Sequence, residues 1–161
     1  EAVRLARMDE LTAPIVYNCG GYERLETLRL LEGTVDIYMP DAKYWDPEMA
    51  ERYSGAADYP ERMRAGLKEM HRQVGDLQTV HGVARRGLMV RHLVMPENAA
   101  GSREVLEFIA REVSPDTRVN VMSQYRPSYR AHEFDRISRS PTREEYLEAR
   151  DYARELGLEL L

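Results

Sequence analysis

A single cysteine, Cys19, stands among 161 residues, which excludes an internal disulfide and any zinc or iron–sulfur centre held by this chain's thiolates alone. Lysine is nearly as scarce. Lys43 and Lys68 are the only two against twenty-one arginines, so where a plain positive charge suffices the chain uses arginine, and Lys43 stands out. No apolar run approaches the roughly 20 residues that span a bilayer, and no signal-peptide pattern opens the sequence, so the expectation is a cytoplasmic protein with no membrane partner. A net charge of −5 argues against a general nucleic-acid coat. What is present, 43% hydrophobic and 32% charged residues, fits one domain over 1–161 with a real core. The chain opens on Glu1 rather than methionine, and Val3 to Leu11 reads as the end of a helix, so the expectation is a piece of a longer protein.

Four short runs rich in Val, Ile, Tyr or Met fit strands: Pro14 to Asn18, Val35 to Met39, Leu88 to Met95 and Arg118 to Gln124. Helical patterns lie between them. Glu23 to Leu31 stops at Gly33, Pro60 to Val74 puts Met63, Leu67, Met70 and Val74 on one stripe, and Ser102 to Val113 repeats the pattern. Thr142 with Glu145 three residues on predicts a capping box at the start of a last helix that closes at Gly157. Tyr53 to Tyr59 reads as a loop and Asp76 to Arg86 as a surface excursion with a small hairpin. Strands separated by helices of this length cannot be hairpin partners, so the economical arrangement is an α/β fold with a parallel sheet, flanking helices and right-handed crossovers. It would be either a doubly wound sheet or a piece of a barrel, with the non-methionine start favouring a piece.

In such folds chemistry sits at the carboxyl ends of the strands. After the first comes Asn18-Cys19-Gly20-Gly21-Tyr22, where two glycines let backbone approach a ligand, although a tight turn explains the pair as well. After the second comes Met39-Pro40-Asp41-Ala42-Lys43-Tyr44-Trp45-Asp46. Alternation puts Met39, Asp41 and Lys43 on one side, so a carboxylate able to accept from a hydroxyl or amine emerges beside an ammonium able to hold a carboxylate. The plain alternative is a mutual ion pair worth about 0 to 1 kcal/mol if exposed. Arg91 and His92 go to opposite sides of the third strand. The arginine needs a partner or a watery cavity, and His92 is expected to be a hydrogen-bonded core or interface residue. The fourth strand delivers Ser123, Gln124, Tyr125 and Arg126. His71, His81 and His132 show no metal-ligand spacing.

Val35-Asp36-Ile37-Tyr38-Met39-Pro40-Asp41-Ala42-Lys43 resembles the DxxMxDxK strand of the radical S-adenosylmethionine enzymes that activate pyruvate formate-lyase. With Tyr17 to Tyr22, Pro40 to Asp46, Met70-His71-Arg72-Gln73-Val74-Gly75, Val90 to Pro96 and Gln124-Tyr125-Arg126-Pro127 in order, the chain is more similar still to the pyruvate formate-lyase activase-like subfamily of that superfamily, over essentially its whole length.

The resemblance implies the last four units, the C-terminal part, of a partial (β/α)6 barrel similar to a TIM barrel. It implies an enzyme that, in full-length form, uses a 4Fe-4S cluster to cleave S-adenosylmethionine to a 5′-deoxyadenosyl radical for hydrogen abstraction. It further implies a glycyl-radical-type protein substrate and an electron donor such as flavodoxin or ferredoxin. Carried over by position, Asn18, Cys19, Gly20, Asp41, Lys43, Gln124 and Arg126 would contact the cofactor, and Arg91 would face the substrate channel. The family's CxxxCxxC motif is absent, so no metal ligand is expected in this chain, and the isolated chain is expected to be inactive. Two other readings remain: a Schiff-base lyase or aldolase with Lys43 as nucleophile, and a non-catalytic interaction module. An open half-barrel would expose an apolar sheet edge.

Overall fold

A computed structural model describes residues 2–161. The protein is an α/β fold whose parallel central sheet is flanked by helices, in the order α1 (Ala2–Met8), β1 (Val16–Cys19), α2 (Leu25–Leu30), β2 (Ile37–Ala42), α3 (Pro47–Ser54), α4 (Tyr59–Val74), β3 (Gln78–Val80), β4 (Val83–Leu93), α5 (Ser102–Phe108), β5 (Arg118–Met122), α6 (Arg143–Glu155) and β6 (Glu159–Leu160). The strands run β1-β2-β4-β5-β6, all parallel, and β3 folds back on β4 as an antiparallel hairpin. Each parallel step therefore needs a crossover, and a helix supplies it.

The sequence accounts for most of these elements. On α4 the stripe Met63, Leu67, Met70 and Val74 is fully or almost fully buried, and each such side chain contributes about 1.5–3 kcal/mol by leaving water. The α6 capping box forms as expected: Thr142 Oγ accepts from the Glu145 N–H at 3.2 Å, and a Glu145 carboxylate oxygen accepts from the Thr142 N–H at 2.7 Å. The excursion after Asp76 is a hairpin.

Three features depart from expectation. Tyr53 and Ser54 close a helix, α3, rather than opening a loop, because Asp46 caps the Glu48 N–H at 2.7 Å and Pro47 supplies a preset first turn. Strand β2 runs past Pro40 to Ala42, since pairing resumes beyond the missing donor at Asp41 opposite Arg91. A fifth parallel strand, β6, follows the turn at Gly157.

The two faces of the sheet differ. Tyr38, Leu88, Val90, His92 and Val119 are all 0% exposed under the helices, whereas the alternate positions Met39, Met89, Arg91, Leu93, Asn120 and Met122 are only half-buried. Among the described residues β1 pairs with β2 alone, and Val16 on it is 49% exposed.

Candidate functional site

Register assembles a polar row on the half-covered face. Asp41 lies opposite Arg91, and Arg91 opposite Asn120, so side chains from β2, β4 and β5 stand side by side near the strands' carboxyl ends. Asn18 lies opposite Met39 in the row beneath. Arg91 Nη2 closes the group, 2.6 Å from Asp41 Oδ1 and donating to Asn18 Oδ1 at 2.7 Å. Lys43 Nζ reaches the other carboxylate oxygen at 3.1 Å. One carboxylate thus faces two cations, which leaves the cluster with a net positive charge. Its valences are not exhausted: Arg91 Nε is buried without a hydrogen-bond partner. Buried polar atoms of this kind call for an additional partner.

The backbone beneath is clamped. Tyr59, 6% exposed on α4, receives the Lys43 N–H at 3.1 Å, and its hydroxyl lies 2.9 Å from the Gly20 carbonyl and 3.1 Å from that of Asp41. The ends of β1 and β2 are thereby tied to one oxygen, and burial pushes the Tyr59 phenol up, keeping it protonated. Gly21 completes the turn at φ +77, and a Cβ there would collide with the Asp41 carbonyl oxygen. At Gly20 a Cβ would stand 4.0 Å from Lys43 Nζ, an ordinary van der Waals distance, so this position faces Lys43 without crowding it.

Of the residues singled out from sequence, Asn18, Gly20, Asp41, Lys43 and Arg91 come together. Cys19 alternates away from Asn18 and packs against the helix-side core; burial, aided by the Glu23 and Asp41 carboxylates, pushes its thiol up to about 11. Gln124 and Arg126 follow β5 at the same end of the sheet but do not join the Asp41 group. Gln124 is exposed, and Arg126 donates to the Tyr125 carbonyl at 2.9 Å and to Ser140 Oγ at 3.3 Å. Asn120, which sequence reasoning missed, enters through register alone. His92 is a core residue, fully buried between the Ala42 carbonyl and Ser102 Oγ, each 2.8 Å away, and burial lowers its pKa to about 4. Asp36, five residues before Asp41, is structural: it accepts from the Ile15 N–H and from Arg7, both at 2.8 Å.

Among the described residues no group of three or more His, Cys, Asp or Glu side chains is placed to hold a metal ion, and no helix is long and apolar enough to cross a membrane. No family model matches the chain. It is similar to an uncharacterized protein of Methanocaldococcus jannaschii, with 33% identity over 149 residues, an alignment covering 92% of this chain and 40% of that relative. The chain thus spans about two fifths of the length of the curated relative it matches.

Proposed function

We propose that this chain is the C-terminal part of a partial (β/α)6 barrel and supplies the S-adenosylmethionine pocket of a radical enzyme of the pyruvate formate-lyase activase-like kind. The observation that carries the reading is the Asn18, Asp41, Lys43 and Arg91 group, drawn from three neighbouring parallel strands onto a face that helices leave half-covered. The sequence motifs of the resemblance coincide with it: Asp41 and Lys43 end the DxxMxDxK strand, and Asn18 and Gly20 lie in the Tyr17 to Tyr22 segment.

The residues fit the organic cofactor. Asp41 accepts hydrogen bonds from an ammonium or from hydroxyls, Lys43 and Arg91 offer charge to a carboxylate, and Asn18 turns Arg91 toward Asp41. Gly20 and Gly21 present bare backbone at the first strand's end. Bound there, S-adenosylmethionine supplies the means of hydrogen abstraction. The residues do not fit a 4Fe-4S cluster, because one half-buried thiol held protonated cannot replace three thiolates. The cluster, a flavodoxin or ferredoxin that feeds it, and the glycyl-radical-type protein substrate belong to this reading through the resemblance.

Calorimetric titration of the complete, anaerobically reconstituted protein with S-adenosylmethionine tests it. Asp41→Ala and Lys43→Ala are each expected to weaken binding about tenfold or more, the loss of a charge-assisted contact. Failure to bind, or unchanged affinity in both variants, overturns the proposal. Borohydride trapping of a carbonyl compound on Lys43 would turn it into a Schiff-base lyase.

A further inference from the structure

A second hollow, of about 250 Å³, opens at the same end of the sheet and draws its walls from other residues. Tyr44, Tyr53, Tyr125 and Phe134 line it together with Met95. These rings are fixed. The Tyr44 hydroxyl accepts from Ser54 Oγ at 3.2 Å, Tyr125 donates to the Ile137 carbonyl at 2.8 Å, and Tyr53 meets Phe134 edge to face at 5.4 Å between centroids. With two of the hydroxyls engaged, the walls are chiefly aromatic carbon. At the rim Tyr129 is 91% exposed and held at φ +52, a conformation in which a tyrosine is strained.

Two arginines also line the hollow, and their circumstances differ. Arg130 is neutralised by Glu133, which it meets through two nitrogens at 3.0 and 2.9 Å. Arg126 touches a carbonyl and a hydroxyl, both neutral, so its charge is not compensated within the hollow. Arg52 stacks its guanidinium on the Tyr53 and Phe134 rings, 5.9 and 5.7 Å from their centroids, so among the arginines lining the hollow itself Arg126 is the one that faces it uncompensated. Aromatic walls beside such a guanidinium are complementary to a flat ring that bears an anion. The hollow is open on one side and roomy enough for one ring with a short acidic tail, since an enclosed apolar cavity of about 150 Å³ already accepts benzene. The hollow connects to the strand end that carries the polar row through the buried Tyr59 and backbone alone. Tyr44 follows Lys43 in the chain and packs edge-on at 5.8 Å against Tyr59, whose hydroxyl touches the Asp41 and Lys43 backbone.

We infer that this hollow binds a small aromatic carboxylate, its ring among Tyr44, Tyr53, Tyr125 and Phe134 and its carboxylate on Arg126. The inference does not depend on the cofactor reading, and its test omits S-adenosylmethionine.

The complete protein is titrated calorimetrically with 3-phenylpropionate, with hexanoate and 3-phenylpropanol as comparators that lack the ring or the charge. 3-Phenylpropionate is expected to bind most tightly. Arg126→Gln, at an exposed position where folding is not at stake, should weaken it about tenfold, and Phe134→Leu about fivefold. Absence of binding, equal affinity for hexanoate, or indifference to Arg126→Gln overturns the inference. Adenosine added as competitor separates the two sources of an aromatic ring: full displacement would assign the hollow to a nucleoside and also overturn it, whereas continued binding of 3-phenylpropionate supports it.

Discussion

Arg91 and His92 are neighbours on β4, and they have opposite fates. The histidine turns under the helices, sheds its charge and satisfies both ring nitrogens with Ala42 and Ser102. The arginine turns to the other face, keeps its charge and gathers Asp41 and Asn18. A single step along a strand thus separates a residue that holds the core from one that holds a charged cluster at its border. The lesson is that the two faces of this sheet are under different physical demands, one for exclusion of water and the other for charge held at its border.

Truncation on the two faces should expose the difference most sharply. Leu88→Ala, on the buried face, is expected to cost about 3–5 kcal/mol through lost transfer energy and a cavity. Met89→Ala, one residue on and half-buried, should cost no more than about 1–2 kcal/mol, because its surroundings already admit water. Chemical denaturation of both variants checks this, and equal losses would mean that the second face is as well covered as the first.

Acid should act chiefly through the helix side. Between pH 6.5 and about 4 the unfolded chain binds a proton at His92 that the folded chain refuses, so stability is full above pH 6.5 and falls as the pH drops to about 4, by about 3 kcal/mol. Urea melts across that window, compared with His92→Gln, should show the slope in the parent and its flattening in the variant.

A comparably small effect on stability belongs to the polar row. Arg91→Met leaves Asp41 with Lys43 as its remaining cation and should cost about 1–2 kcal/mol, less than breaking a fully buried pair. The same melts measure it. A loss above that of Leu88→Ala would make the row a structural element first.

Much of this division was legible beforehand. Period-two alternation in Leu88 to Leu93 is enough to send Arg91 and His92 apart, and the same alternation continued past Met39 marks Asp41 and Lys43 as emerging together. Helix α3 was legible only in retrospect: its Asp-Pro start is a good cap, but eight residues give too few turns for a periodic signal to show. Asn120 was not legible, because nothing in Arg118 to Met122 states which residue of β4 it will face; that is decided by how far each crossover carries the chain. The separation of Arg126 from the Asp41 group has the same origin. Shared position at a strand's end brings residues to one rim, while contact depends on loops whose path follows from packing, here the segment running from Tyr125 through Phe134 to Ile137.

Gly21 turns this geometry into a gauge. Because no side chain can stand between that turn and the Asp41 carbonyl, a relative that carries any other residue there must have moved its first two strands apart or rebuilt the turn. Variation at this one column would therefore sort relatives by backbone spacing, without a single further structure.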